Sequence, residues 1–158
     1  MPEPRQRETE RSIDSSPPSS GLDRRLRAKQ RLIKSSCFSE AFAQNRKWVG
    51  ISMVLFLRNG SDAALRLGVV SSKKVGLRAN KRNFARRRLR EAYRNLRPYF
   101  TGNVDVVLVA RPSILKTGWP GVLHELLALA HRAGLISTEN LAKAKREHGL
   151  DNNCTTDC

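Results

Sequence analysis

The chain has 158 residues, of which 30 are Lys or Arg and 14 are Asp or Glu, so its formal net charge is +16. This length suits one ordinary domain with short extensions, and the excess of positive charge favours a polyanionic partner over a neutral or cationic one. No apolar run approaches the roughly 18 residues that a membrane-spanning helix needs, so the sequence predicts no such span.

The positive charge is concentrated in two stretches. Residues 24–47 hold eight Lys and Arg against one acid, and residues 73–97 hold eleven against one, a net charge of +10. Either stretch taken alone could be a solvated surface. Mutual repulsion would nevertheless destabilise the second stretch unless an anion compensates for it.

The two ends of the chain predict little packed structure. Residues 1–22 are rich in Ser and Pro and poor in large apolar side chains, which predicts a disordered N-terminal extension. Residues 137–158 predict a polar, flexible C-terminal tail with at most a short helix. The folded body is therefore expected at 23–136.

The three cysteines do not form a disulfide pattern, since their number is odd and two lie near the C-terminus. With no secretory signal in the sequence, this usage favours a reducing, cytoplasmic location. Cys154 and Cys158, with His148 nearby, have only weak metal-site spacing.

The body begins with a short helix and two strands. Ser36 is expected to cap a helix over 37–43, in which Phe38 and Phe42 are four residues apart and share a face. Residues 48–57 and 65–71 are β-rich, and the turn-forming Asn-Gly pair between them predicts a hairpin.

A basic helix is predicted over 80–97, with Asn80 as a possible cap. Its apolar residues follow helical spacing and form one stripe: Ala85, Leu89, Ala92, Tyr93 and Leu96. Nearly every other position is Arg. The helix is therefore expected to pack one face and to present an Arg-covered face to water.

Residues 104–110 predict a central strand and residues 121–135 a largely neutral helix that covers the sheet. The sequence thus predicts an α+β fold, a small two-layer sandwich of helices on a mixed sheet.

The chemistry in the sequence favours binding over catalysis. The carboxylates of the body are scattered, without the spacing of a general acid and base, and no glycine-rich phosphate loop is present. Eight of the eleven basic residues in 73–97 are Arg, whose guanidinium groups bind phosphate bidentately. Phe38, Phe42 and Phe56 could stack on unpaired bases or could simply pack in the core.

Two segments carry a family resemblance: LRLGVVSSKKVG at 65–76 and KRNFARRRLREA at 81–92. In this order they closely resemble the bacterial ribonuclease P protein component, in which a strand ending in Ser-Lys-Lys-x-Gly precedes a helix headed by Arg-Asn-Arg. The resemblance extends upstream to Phe38 and Phe42 and downstream to the last predicted helix, so it covers essentially the whole body.

The resemblance implies a fold and a function. It implies the order α-β-β-(β)-α-β-α with a left-handed crossover through the basic helix, against the usual right-handed rule. It implies a non-catalytic subunit of ribonuclease P, the ribonucleoprotein that removes the 5′ leader from precursor tRNA. The partner RNA would perform the hydrolysis with Mg2+ bound mainly by RNA, without a small-molecule cofactor and without a membrane.

The resemblance also implies two sets of site residues and no catalytic or metal-binding residue in the protein. The residues expected to bind the catalytic RNA are Lys73, Lys74, Lys81, Arg82, Asn83, Arg86, Arg87 and Arg90. The residues expected to line a cleft for the single-stranded leader are Phe38, Phe42, Phe56 and Ser72.

One position departs from the family pattern. Arg82 and Asn83 match the first two residues of Arg-Asn-Arg, but Phe84 stands at the second arginine. The RNA contact of that arginine is therefore not expected here, although neighbouring basic residues can supply the charge.

Three other functions fit parts of the sequence. A ribosomal or ribosome-assembly protein would share the basic charge but would need no leader cleft. A DNA-binding helix would carry Asn, Gln or Ser for base readout among its arginines. A membrane-surface helix would need a free apolar stripe, whereas here the stripe is required for the core.

Overall fold

The structure is a computed structural model that describes residues 26–150. Four α-helices are present in this range: α1 (Ser35–Gln44), α2 (Ala79–Leu96), α3 (Trp119–Arg132) and α4 (Thr138–Glu147). Four strands accompany them: β1 (Lys47–Val49), β2 (Met53–Arg58), β3 (Leu67–Val70) and β4 (Asp105–Ala110). Short 3-10 turns lie at Ala28–Gln30, Arg97–Tyr99 and Pro112–Leu115.

The strands form one mixed sheet in the order β1-β2-β4-β3. β1 and β4 each pair antiparallel with β2, and β3 pairs parallel with β4. The α+β class and the predicted element order are confirmed. The left-handed crossover through α2 stays an expectation from the resemblance.

The main core lies on the face of the sheet covered by α2 and α3. Alternate strand residues such as Leu55, Val106 and Leu108 point into it and are fully buried. The intervening residues face the other side, where Val107 and the half-buried Phe56 pack with residues of α1. α1 therefore adds partial cover to the second face, beyond the two predicted layers.

The predicted strand over 48–57 is divided in the structure. Gly50 donates a backbone hydrogen bond to the Met53 carbonyl at 2.9 Å and so closes a turn between β1 and β2. Glu125 of α3 accepts hydrogen bonds from the Ser52 backbone amide and hydroxyl. A side chain at Gly50 would collide with that carboxylate, so glycine fits this turn.

The predicted hairpin of 48–57 with 65–71 is wrong, because β4 lies between β2 and β3. The Asn59 backbone amide and carbonyl instead bond to the Gln44 side chain, each at 2.8 Å. The Asn-Gly segment is thus tied to the end of α1. β4 is apolar on both faces and accepts a partner at each edge, which is what a central strand requires.

The two predicted helix caps also need correction. α1 begins at Ser35 with Lys34 in the capping position, not Ser36, and α2 is preceded by Arg78, not capped by Asn80. The Asn80 side chain instead accepts a hydrogen bond from the next backbone amide at 2.8 Å. Neither helix start in the structure has a side-chain cap.

The predicted flexible tail from 137 does not fit residues 138–150. α4 is capped by Ser137, Ala144 is fully buried and Leu150 is almost so. Leu141 packs against the same core. The division into a body and two extensions stays a prediction, because residues 1–25 and 151–158, with Cys154 and Cys158, lie outside the described part.

Candidate nucleic-acid interface

Helix α2 has the predicted two-sided character. Its apolar stripe is completely buried against the sheet and α3. Tyr93 belongs to this stripe, and its hydroxyl donates a hydrogen bond to the Leu65 carbonyl at 2.8 Å. Burial raises the pKa of Tyr93, so the phenol stays neutral. Burial of the stripe fixes the position of α2 on the sheet and α3. The remaining positions of the helix are not needed for this packing and can carry charged side chains.

The residues predicted to contact catalytic RNA lie on α2 and the loop before it. Six of the eight are exposed: Lys73, Lys74, Lys81, Asn83, Arg87 and Arg90. Within residues 26–150 no ion pair involves any of them. Their cationic groups are therefore available to an external anion. We call this group of eight residues the basic surface.

The other two members of the basic surface are half-buried and bind backbone. Arg82 Nη1 donates to the carbonyls of Gly76 at 3.0 Å and Leu77 at 2.7 Å. Arg86 makes a longer contact of 3.5 Å with the Ser71 carbonyl. Both arginines thus hold the loop that carries Lys73 and Lys74 against the helix, a role that the sequence did not reveal.

The aromatic residues predicted for the leader lie together between α1 and the sheet. Phe42 is 41% exposed, and its ring meets that of Phe56 edge-on with centroids 4.9 Å apart. Phe38 is half-buried in the same cluster, beside Val70 and Val109. We call this partly exposed apolar cluster the cleft, after the role predicted for it.

Gly68 shapes the floor of the cleft. A Cβ at this position would lie 2.5 Å from the Phe38 ring, closer than carbon atoms can approach. The ring therefore lies directly on the backbone of β3. Only glycine leaves room for this contact, so the third-last residue of the strand determines where Phe38 sits.

Ser72 lies where the cleft and the basic surface meet. It is the second residue after β3, is exposed, and its carbonyl accepts a hydrogen bond from the Val75 backbone amide at 3.1 Å. Val70, two residues before it, belongs to the cleft, and Lys73, one residue after it, belongs to the basic surface. The end of β3 thus joins the two surfaces.

A buried ion network that the sequence did not reveal ties α1 to the sheet. Asp105 is completely buried and accepts from Arg58 Nη1 at 2.6 Å and from Arg66 Nη2 at 2.8 Å. Arg58 is only 5% exposed and also pairs with Glu40 of α1 at 2.5 Å. At the exposed edge of the network, Asp62 forms ion pairs with both arginines. The network connects α1, β2 and β4.

The pKa shifts in the network follow from these contacts. Burial alone would raise the pKa of Asp105, but the hydrogen bonds from Arg66 and Arg58 outweigh it and hold the pKa below its usual value. The hydrogen bond to Glu40 is the main factor that raises the pKa of Arg58. An Asp at the head of an apolar strand was the one visible sign of this network in the sequence.

In the range 26–150 no cluster of three or more His, Cys, Asp or Glu side chains could hold a metal ion. Among the helices described, none is both long enough and apolar enough to cross a membrane.

Comparison with known proteins identifies the family. Residues 26–134 match the protein-family model described as Ribonuclease P. The chain belongs to the ribonuclease P protein family. It is accordingly the protein subunit of ribonuclease P, an accessory chain of that endoribonuclease, and this decides against the ribosomal, DNA-binding and membrane-surface alternatives.

Individual ribonuclease P proteins give the same result. The ribonuclease P protein component of Paramagnetospirillum magneticum is 35% identical over 120 residues, which cover 72% of this chain and 90% of the relative. The solved ribonuclease P protein of Staphylococcus aureus aligns with a TM-score of 0.60 at 21% identity, over 68% of this chain and 98% of that one. That of Thermotoga maritima aligns with a TM-score of 0.57 at 25% identity, over 65% and 96%.

Proposed function

We propose that the basic surface binds the RNA of ribonuclease P while the cleft holds the single-stranded 5′ leader of precursor tRNA. The RNA performs the Mg2+-dependent hydrolysis of the phosphodiester bond that joins the leader to the tRNA. The protein raises the affinity for the substrate. The protein works in the cytoplasm and uses no small-molecule cofactor of its own. In this proposal the RNA, not the protein, holds the catalytic Mg2+.

The observation that carries this proposal is that two chemically different surfaces lie next to each other at the end of β3. One surface presents exposed Lys and Arg side chains that suit phosphates. The other presents the exposed edge of Phe42 beside Phe56, which suits unstacked bases. A single strand leaving a folded RNA could therefore pass from one surface to the other.

The charge of the basic surface explains the benefit to the holoenzyme. Two RNAs repel each other because both are polyanions. The segment 73–97, which carries the basic surface and has a net charge of +10, lowers this repulsion at their junction and releases counterions. We therefore expect the protein to lower the Mg2+ concentration that cleavage requires. Cleavage of precursor tRNA by a bacterial ribonuclease P RNA, with and without the protein at low Mg2+, measures this effect.

The cleft is tested with Phe42→Ala, because Phe42 is partly exposed and its removal disturbs the core little. Loss of one base–aromatic contact should weaken precursor tRNA binding by about fivefold or more and leave mature tRNA binding unchanged. Ile51→Ala is the matched control, since Ile51 is 78% exposed in the β1–β2 turn. Equal losses for precursor and mature tRNA would refute a leader-binding cleft.

The basic surface is tested with the double variant Arg87→Gln and Arg90→Gln. These residues are cleaner choices than Arg82 or Arg86, which also hold the preceding loop. Binding to the catalytic RNA should weaken, and the slope of log affinity against log salt should fall by about 1.4–1.8. The matched control is Lys143→Gln with Arg146→Gln, on the exposed side of α4. The same slope in both double variants would refute the assignment.

A further inference from the structure

Phe84 forms an exposed aromatic surface in the middle of the basic helix. It is 47% exposed, in contrast to the fully buried Ala85 that follows it. The Arg88 guanidinium lies 5.3 Å from its ring centroid, and Arg88 Nη1 donates to the Ile114 carbonyl at 2.8 Å. Because Arg88 is anchored in this way, it restricts the orientation of the ring.

A cavity of about 400 Å³ lies beside this ring, between the start of α2 and the turn at Pro112–Leu115. Phe84 and Leu115 supply its apolar wall, and Asn80, Lys81 and Lys116 supply its polar groups. None of the described residues that line it is a carboxylate. Throughout residues 26–150, neither lysine takes part in an ion pair.

We propose that this cavity binds one unpaired nucleotide of the RNA that docks on α2, with the base stacked on Phe84. An apolar aromatic wall matches the face of a base, and two free ammonium groups match the flanking phosphates. Asn80 provides an amide for the edge of the base or the ribose hydroxyl. The site is separate from the cleft, which lies on the opposite face of the sheet.

This inference rests on the proposed function, since it requires RNA on α2. It assigns a direct role to the position at which the chain departs from the Arg-Asn-Arg pattern: the contact is made by a ring face in place of a charge. A ring contact and a charge contact respond differently to salt, and this difference makes the site testable. Removal of the ring should lower affinity without changing the number of counterions released.

The experiment measures binding of the full chain to a bacterial ribonuclease P RNA over a series of salt concentrations. Phe84→Leu keeps an apolar side chain but removes the ring face, and it should weaken binding about fivefold to tenfold with an unchanged salt slope. Phe84→Tyr keeps the ring face and should bind like the wild type. Thermal unfolding of both variants checks that the fold is retained.

A second variant tests the phosphate contact independently of the ring. Lys116→Gln should lower the salt slope by about 0.7–0.9, whereas the control Lys143→Gln on α4 should leave it unchanged. Wild-type affinity in Phe84→Leu, equal losses in the Leu and Tyr variants, or equal slopes in the two lysine variants would each overturn the site. If the wild-type chain itself did not bind the RNA, that result would refute the proposed function and therefore also this site.

Discussion

Replacement of Asp105 by Asn should destabilise the protein by removing the one fully buried carboxylate of the ion network. The change keeps the size of the side chain but places an amide where two guanidinium groups need an anion. Breaking a buried ion pair costs about 3–5 kcal/mol when it leaves a charge uncompensated. Arg58 keeps Glu40 and Asp62 as partners, so we expect a loss of about 2–3 kcal/mol.

This loss should be visible in thermal unfolding. An ordered region of 125 residues, 26–150, unfolds with an entropy of roughly 0.26 kcal/mol/K, so about 2–3 kcal/mol lowers Tm by about 8–11 °C. Asp62→Asn is the matched control, because the Asp62 side chain is 51% exposed. Solvent screens an exposed pair of this kind, so Asp62→Asn should lower Tm far less than Asp105→Asn.

The stability difference between wild type and Asp105→Asn should depend on pH in a defined direction. The folded-state pKa of Asp105 is lowered, so its contribution is fully present above the unfolded pKa of about 3.9 and is lost as the pH falls through the folded value. The stability difference between wild type and Asp105→Asn should therefore be largest near neutral pH and should shrink below about pH 4. Urea unfolding at several pH values measures it. A difference below about 0.5 kcal/mol at neutral pH would refute this account of the network.

Two further predictions follow from packing. Gly68→Ala should displace the Phe38 ring from β3 and weaken the binding of precursor tRNA more than that of mature tRNA in a holoenzyme assay; unchanged precursor affinity would contradict the described position of the ring. Truncation after Ile136 removes α4 with the buried Ala144 and Leu150, so it should lower Tm by several degrees in a thermal melt, and an unchanged Tm would show that α4 adds nothing to the core.

The sequence predicted best what depends on neighbours along the chain. The stripe that includes Leu89 and Tyr93 located α2 within one residue at each end, because helical spacing is a local property. The i, i+4 pair of Phe38 and Phe42 likewise placed both rings on one side of α1. These local patterns located the two helices, whereas the residue sets of the basic surface and the cleft came from the family resemblance.

What the sequence missed depends on partners distant in the chain. The Asn-Gly turn suggested a hairpin, yet the Asn59 backbone binds Gln44 and β4 separates the two strands. α4 has few apolar residues, and its packing becomes visible only from the core contacts of Leu141 and Ala144. The double role of Arg82 was hidden for the same reason, since its carbonyl partners come together only when the loop folds back on α2.

The central position of β4 has a consequence for synthesis of the protein on the ribosome. Among the strands of residues 26–150, β2 can pair only with the three-residue β1, and β3 has no partner, until residues 105–110 have left the exit tunnel. The sheet therefore forms late and in one cooperative step, because its non-local pairings all require the same strand. Until then the nascent chain exposes the strongly basic helix without the sheet that positions it, so the basic surface becomes complete only after β4 has emerged.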